Sequence, residues 1–271
     1  MALDDIARRG LVLLGCGKMG GAMLEGWLAR GLPSGSVWVL DPAPPEGLGP
    51  RGVHLNEDPP ARPAVALVAV KPQMMDTALP RLAGITGPDT LVISVAAGTP
   101  LSRFETAFGA ETPVIRAMPN TPAAVGAGIS AIIGNAAARE AHLALAEELL
   151  SAVGQVVRLA HEDQMDAVTG VSGSGPAYVF HMIEALAQAG EAEGLARDLA
   201  MALARATVAG AGALAAQSEE SAETLRRNVT SPGGTTAAGL EVLMDEAQGL
   251  PPLMRRTVAA AAARARELRD G

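Results

Sequence analysis

Six residues near the N-terminus, Gly15-Cys-Gly-Lys-Met-Gly20, restrict the fold of this chain more than any other stretch. They follow an apolar run over 11–15 that predicts a buried strand, and they open a run of helix formers over 18–30. In a strand–turn–helix, the first glycine permits a tight turn, the second lets the backbone approach a pyrophosphate, and the third lets helix and strand pack closely. The spacing therefore predicts a dinucleotide-binding βαβ unit.

Strand and helix signals alternate through the first 160 residues. Apolar runs over 36–41, 64–72 and 90–98 predict further strands, and the same signal recurs over 113–120, 128–134 and 155–159, with a helix near 138–152. The segment Pro59-Pro60-Ala-Arg-Pro63 stands where a helix is expected, which indicates a shortened connection. This alternation predicts an α/β fold with a doubly wound, mostly parallel sheet.

Beyond about residue 160 the β-branched runs stop and the chain becomes rich in Ala, Leu, Glu and Arg. Helices are predicted over 162–170, 175–194, 196–217, 219–228, 235–246 and 251–269. We therefore expect a Rossmann-type domain over 1–160 and an all-helical domain over 161–271. The crowding of small residues over 201–217 suits a buried helix or a subunit interface, or simply reflects a high alanine content.

Composition excludes several classes of function. Of 271 residues 49% are hydrophobic, the net charge is −8 and only six side chains are aromatic, which argues against disorder and against nucleic-acid binding. One cysteine, Cys16, allows no internal disulfide, and we expect no metal site. The sequence contains no uninterrupted apolar stretch of about 18 residues and no signal-peptide pattern, so we expect a soluble cytoplasmic protein without a membrane span.

Asp41 lies at the end of the second predicted strand, 21 residues after Gly20. An acid at that place binds the ribose hydroxyls of NAD and repels the 2′-phosphate of NADP. The loops Ala69–Pro72, Val95–Gly98 and Met118–Pro122 follow later strands and should line the same crevice. The two lysines of the chain, Lys18 and Lys71, both fall in predicted cofactor loops, although the bias toward 19 arginines leaves few lysines anywhere.

A nicotinamide cofactor implies hydride transfer, and the residues favour an imine as acceptor. Carbonyl reduction usually needs a placed acid, but the helical region has no lysine, and His161, His181 and Tyr178 are better explained as structural residues in a link or core helix. A protonated C=N bond is already electrophilic, so a hydroxyl or a water is sufficient.

The stretch "NVTSPGGTTAAG", residues 228–239, offers an anion site. Backbone N–H groups around Ser231, Gly233 and Gly234 can hold a carboxylate, and Thr235 or Thr236 can direct a hydroxyl at a neighbouring nitrogen. Ordinary helix capping is the alternative explanation, although a cap needs no double glycine.

Together these motifs resemble the pyrroline-5-carboxylate reductase family. The matching motifs are "GCGKMG", "AVKP", "VAAG", "RAMPNTP", "DAVTGVSGSGPAYVF" and "NVTSPGGTTAAGLEVL", in the family's order, and the resemblance covers residues 11 to 268. It implies an N-terminal Rossmann domain and a helical C-terminal domain that interlocks with a partner in a homodimer, with five dimers often forming a decamer. It also implies the last step of proline biosynthesis, in which a cyclic imine accepts hydride from NAD(P)H.

The resemblance further implies the site residues. Expected cofactor contacts are Leu14, Gly15, Cys16, Gly17, Lys18, Met19, Asp41, Asn56, Ala69, Val70, Lys71, Pro72, Val95, Ala96, Ala97 and Gly98. Expected substrate contacts are Glu162, Asn228, Ser231, Gly233, Gly234, Thr235 and Thr236, with Thr236 bonding the ring nitrogen as the proton source. NADPH-preferring members usually have a small hydroxyl residue or a basic partner at position 41. The carboxylate of Asp41 therefore predicts that NADH is used at least as well as NADPH.

The sequence is also compatible with other functions. An imine reductase for larger rings and a relative of the β-hydroxyacid dehydrogenases share the two-domain plan, and the absence of lysine from the helical region argues against the latter. A sensor or scaffold that binds NAD(P) without chemistry would not need the Ser231–Thr236 turn.

Overall fold

The computed structural model describes residues 2–270, which form two compact units. The sheet unit comprises residues 2–173 and 261–270, and the helical unit comprises residues 174–260. Contacts thus place 161–173 and the end of the last helix with the sheet, whereas the sequence predicts a boundary near residue 160. The domain boundary itself remains a prediction.

An eight-stranded sheet forms the centre of the sheet unit. Its strands are β1 Leu11–Leu14, β2 Val37–Leu40, β3 His54–Leu55, β4 Val65–Val68, β5 Leu91–Ser94, β6 Val114–Met118, β7 Gly128–Gly134 and β8 Gly154–Arg158. Their order is β3-β2-β1-β4-β5-β6-β7-β8, and all neighbours are parallel except β6 and β7. The predicted doubly wound, mostly parallel sheet is therefore confirmed.

Twelve α-helices lie among the described residues. Those of the sheet unit are α1 Ala2–Arg9, α2 Lys18–Ala29, α3 Met75–Ala78, α4 Pro80–Ala83, α5 Leu101–Phe108, α6 Glu140–Leu150 and α7 Gln164–Val168. The helical unit contains α8 Gly175–Ala192, α9 Arg197–Gln217, α10 Ala222–Asn228, α11 Thr235–Leu243 and the first half of α12 Leu250–Asp270. A π-helical turn, Thr169–Gly173, joins α7 to α8.

Alternating side chains of the strands build two cores, one on each face of the sheet. Leu11 and Leu13 of β1 pack in one cluster with residues of α2 and α6. Val12 and Leu14 pack in the other, with Met75 of α3, Leu82 of α4 and Phe104 of α5. Because successive strand residues face opposite sides, a continuous apolar run is what a strand covered on both faces requires.

The connection between β2 and β4 differs from a standard βαβ crossover. It contains no α-helix, only a short 3₁₀ turn at Gly49–Arg51 and the two-residue strand β3, in agreement with the shortened connection that its prolines predict. His54 of β3 pairs with Trp38 of β2, and their rings stack 4.4 Å apart. Neither β3 nor α1 was predicted from the sequence.

The helical unit exposes much of its apolar surface. Small side chains bring α8 and α9 together, since a Cβ placed on Gly190 would lie 3.3 Å from the Cβ of Ala200. Large residues of α9 such as Leu199 and Leu203 are nevertheless half-exposed, so α9 is not a buried helix of this chain. By length and composition α9 could span a membrane. The sequence contains no uninterrupted apolar run at this place because Arg205 lies within the helix.

Candidate functional site

The glycine-rich loop lies where the sheet reverses its strand order. β1 pairs with β2 on one side and β4 on the other, so the loops after β1 and β4 meet at the carboxyl edge. Gly15 has a φ of +91°, and a Cβ there would lie 2.9 Å from the backbone of Ala69. Such a switch point is where open α/β sheets bind ligands.

The other two glycines of the motif have distinct surroundings. Gly17 is exposed at the N-cap of α2, and no atom lies within 4 Å of where its Cβ would stand, so a ligand can approach the backbone. A Cβ on Gly20 would collide with the carbonyl oxygen of Gly15. The exposed Lys18 and the half-buried Met19 begin α2 beside them. This arrangement is that of a helix N-terminus open to an anion.

Asp41 is tied into the glycine-rich loop. Its Oδ2 accepts a hydrogen bond of 2.6 Å from Cys16 N–H, and its Oδ1 accepts one of 2.8 Å from Ala43 N–H. The side chain of Asn56 accepts from Asp41 N–H at 3.0 Å and donates to the Asp41 carbonyl at 2.7 Å. Asn56 is left-handed, with a φ of 54°. Cys16 and Asn56, both predicted cofactor contacts, therefore hold Asp41 in place.

Cys16 is a buried thiol within this loop. Burial, and then the charges of Asp41 and Glu25, raise its pKa to about 11. The thiol is therefore neutral at physiological pH and packs as a small apolar side chain.

The two later cofactor loops lie at the same edge. After β4, Ala69 and Val70 are half-buried while Lys71 and Pro72 are exposed. After β5, Ala96 is buried, Ala97 is exposed and Gly98 has a φ of +71°. Among the described residues neither lysine has a carboxylate within 4 Å. Both ammonium groups are thus available to an anionic ligand.

Glu162, a predicted substrate contact, has two partners in the sheet unit. Its Oε1 accepts hydrogen bonds from Arg116 at 2.8 Å and from Leu101 N–H at 2.9 Å. Arg116 stands in β6 with a nearly buried side chain, and Leu101 is the first residue of α5. Glu162 therefore caps a helix from another part of the chain.

Three polar residues of the sheet unit were not predicted as site residues from the sequence. Asp166, a buried residue of α7, pairs with Arg269 of α12 at 2.6 Å. Asn120 accepts from Ile129 N–H and donates to the carbonyl of Ser172, in the π-helical turn. The motif "RAMPNTP" could have indicated Asn120 as a site residue. No local pattern indicates the pair of Asp166 and Arg269, because the two residues are 103 positions apart.

The remaining predicted substrate residues lie in the helical unit, on the turn before α11. Gly233 has a φ of +68°, and Gly234 N–H donates to the Ser231 carbonyl at 3.0 Å. The first helical hydrogen bond runs from Ala238 N–H to the Gly234 carbonyl, so the N–H groups of Thr235 and Thr236 precede it. Both threonines are exposed, as is Asn228 at the end of α10, whose Nδ2 donates to Glu220.

The structure thus places the predicted cofactor residues together in the sheet unit and separates the substrate residues between the two units. Glu162 belongs to the sheet unit, and Asn228 to Thr236 belong to the helical unit. Within residues 2–270 no group of three or more His, Cys, Asp or Glu side chains could hold a metal. The expectation that His181 lies in a core helix is wrong for this chain, because its side chain on α8 is 80% exposed and pairs with Glu184.

Comparison with known proteins identifies the family of this chain. The family model described as pyrroline-5-carboxylate reductase dimerisation matches residues 162–268, and the one described as NADP oxidoreductase, coenzyme F420-dependent, matches residues 10–98. The chain is 38% identical to the pyrroline-5-carboxylate reductase of Pseudomonas aeruginosa over 96% of its own length and 97% of the relative's. It is 50% identical to that of Synechocystis over 75% of its length and 74% of the relative's.

Solved structures show the same relationship. The structure of a pyrroline-5-carboxylate reductase from Coxiella burnetii matches with a TM-score of 0.87 and 35% identity, covering 96% of this chain and 98% of that one. The Plasmodium falciparum pyrroline carboxylate reductase with NADP bound matches with a TM-score of 0.80 and 26% identity, over 96% and 98% of the two chains. The chain therefore belongs to the pyrroline-5-carboxylate reductase family and is a nicotinamide-dependent oxidoreductase with a dimerisation domain.

Proposed function

We propose that this chain reduces 1-pyrroline-5-carboxylate to L-proline with hydride from NADH or NADPH, the last step of proline biosynthesis. The observation that carries the proposal is the turn over residues 231–236. It directs the unpaired N–H groups of a helix start toward solvent next to two exposed threonine hydroxyls. A substrate with a carboxylate beside a basic nitrogen matches both features.

The proposed roles follow from this turn. The N–H groups of Ser231, Gly233 and Thr235 hold the carboxylate beside Gly234, whose own N–H closes the turn on the Ser231 carbonyl. Thr236 bonds the ring nitrogen. Hydride then adds to the carbon of the C=N bond, and the ring nitrogen takes one proton from the hydroxyl of Thr236. This exposed hydroxyl regains its proton from water. Asn228 is a proposed substrate contact, and so is Glu162, whose Oε1 also holds Arg116 and Leu101 N–H.

The proposed cofactor site comprises the glycine-rich loop, Asp41, Asn56 and the loops Ala69–Pro72 and Val95–Gly98. We propose that NADH serves at least as well as NADPH, because the carboxylate of Asp41 would repel a 2′-phosphate bound next to it. Its hydrogen bond from Cys16 N–H supports this reading, since it fixes the charge beside the loop.

The proposal includes the assembly and the location of the enzyme. The half-exposed apolar residues of α9 become covered in a homodimer through the segment that the dimerisation family describes, and five dimers then form a decamer. A dimer interface accounts for the apolar character of α9 without a membrane, in agreement with a cytoplasmic enzyme.

The decisive experiment is steady-state oxidation of NADH and NADPH, side by side, with 1-pyrroline-5-carboxylate as acceptor. Turnover with either cofactor establishes the reaction, and the ratio of the two kcat/KM values tests the role of Asp41. A folded protein that binds the cofactor but oxidises neither NADH nor NADPH with this acceptor would contradict the proposal. It would favour a sensor or another imine substrate.

A further inference from the structure

Two contacts hold the carboxyl-terminal end of the Val95–Gly98 loop from elsewhere in the sheet unit. At the loop's far end the chain enters α5, whose first residue, Leu101, donates its N–H to Glu162 Oε1 at 2.9 Å. At Gly98 the loop lies against the end of α12, since a Cβ on this glycine would be 3.5 Å from the carbonyl oxygen of Leu268. The loop therefore takes its shape from segments that are distant in sequence.

Each of these segments is itself fixed by an ion pair. Arg116, with only 4% of its side chain exposed, holds Glu162 at 2.8 Å. Asp166, with 5% exposed, holds Arg269 at 2.6 Å, one residue after Leu268. Charges that are removed from water in this way are retained only in well-defined geometry, because their desolvation must be offset by close partners.

We propose that Glu162 and Arg269 are positioning residues that hold the Val95–Gly98 loop in the shape that binds the nicotinamide cofactor. Glu162 acts through Leu101 at the start of α5, and Arg269 acts through Asp166 and the end of α12. The inference rests on the proposed function, because that function assigns this loop to the cofactor. It adds two residues that act on cofactor binding without touching the cofactor.

The test is the dissociation constant for NADH and NADPH, measured by titration calorimetry on the full-length protein without imine. We expect Arg269→Ala and Glu162→Ala each to raise this constant about 3- to 10-fold, the scale of one weakened hydrogen bond. Glu162→Gln, which can still accept from Leu101 N–H, should raise it less. In turnover Arg269→Ala, which lies outside the proposed substrate contacts, should raise the KM for the cofactor while kcat at saturating cofactor changes by less than about twofold.

Two comparisons separate positioning from mere stability. Arg264→Ala removes an exposed pair with Glu267 on the same helix and should leave the dissociation constant unchanged. In the double variant Asp166→Asn/Arg269→Ala no unpaired charge remains buried, so thermal stability should recover while the dissociation constant stays raised.

An unchanged dissociation constant in folded Glu162→Ala and Arg269→Ala would overturn the proposal, and so would its full recovery in the double variant. If Glu162→Ala does not fold, Glu162→Gln and Arg269→Ala decide the question. A different result would contradict the proposed reaction, namely wild-type protein that binds the cofactor without reducing the imine.

Discussion

The carboxylate of Asp41 accepts a 2.6 Å hydrogen bond from the backbone N–H of Cys16, which joins the end of β2 to the glycine-rich loop. Its other oxygen accepts from Ala43 N–H, and Asn56 fixes the Asp41 backbone from both sides. The negative charge is therefore held in one place, so its effect on a bound nucleotide depends on chemistry rather than on side-chain freedom.

Replacing this charge should change the choice of cofactor. We expect Asp41→Ser to raise kcat/KM for NADPH about 5- to 30-fold, because removing a partly screened charge next to a phosphate is worth about 1–2 kcal/mol. The kcat/KM for NADH should fall, since Cys16 N–H loses a charged acceptor. Steady-state kinetics with both cofactors measures the ratio.

The control for Asp41→Ser is Asp89→Ser, which removes an exposed acid just before β5, at the opposite edge of the sheet. It changes the net charge equally and should leave the ratio unchanged. A ratio that is the same in Asp41→Ser and in wild-type protein would refute the role given to Asp41.

Neighbouring glycines of α2 should respond in opposite directions to the same substitution. Gly20→Ala should lower the free energy of unfolding by about 1–3 kcal/mol and weaken cofactor binding, because the new Cβ collides with the Gly15 carbonyl. The Cβ of Gly21→Ala would lie 3.7 Å from the Cys16 carbonyl oxygen, an ordinary van der Waals contact. This substitution should raise that free energy by about 0.5–1 kcal/mol.

Denaturant unfolding at one fixed protein concentration measures both glycine variants. Equal stabilities of the two would show that the close approach of α2 to the loop is not needed.

The hydroxyl of Thr236 should matter to chemistry and little to folding. We expect Thr236→Ala to lower kcat by about 10²-fold or more, the range found for loss of a positioned proton donor, with an unchanged unfolding midpoint. Thr236→Ser keeps the hydroxyl and should recover most of the rate.

The control for Thr236 is Thr257→Ala on α12, whose hydroxyl donates to the Leu253 carbonyl within the helix. It should retain wild-type turnover. Wild-type kcat in Thr236→Ala would remove this residue from the mechanism.

Cys16 should be unreactive in the native protein. Its pKa of about 11 leaves it protonated at pH 8, so alkylation by iodoacetamide should be on the order of 100-fold slower than in the unfolded chain. Because the folded-state pKa is raised, the contribution of this thiol to stability is complete below its unfolded pKa, near 8.5, and is lost as pH rises toward 11. Mass spectrometry of native and guanidinium-unfolded protein compares the rates, and rapid native labelling would contradict the burial.

A charge on α9 should disrupt the proposed homodimer. Leu199 and Leu203 lie four residues apart on one face of the helix and are about half exposed in the single chain. Leu203→Glu should weaken association at least about 100-fold, since burying an unpaired carboxylate costs several kcal/mol. Light scattering after gel filtration measures the mass.

Val125→Glu is the control for Leu203→Glu. Val125 is 81% exposed and lies outside residues 162–268, so this variant should keep the wild-type mass. A wild-type mass for Leu203→Glu would exclude this face of α9 from the interface.

Local features of the sequence predicted most of the fold. The apolar runs at β1, β4 and β5 are short and continuous, as strands covered on both faces must be, and the glycine spacing after β1 requires a turn into a helix. The turn at 231–234 and the helix start at Thr235 follow from proline and glycine chemistry. These signals lie within a few residues of one another, so the sequence alone determines them.

Tertiary structure decided the relationships between distant residues. Four contacts join segments that are 16 to 103 residues apart: the pairing of β3 with β2, the bond from Cys16 to Asp41, and the ion pairs of Glu162 with Arg116 and of Asp166 with Arg269. Neither partner of such a pair has a local pattern that indicates the other, because the free energy of the contact arises only when packing brings the two groups together and removes them from water.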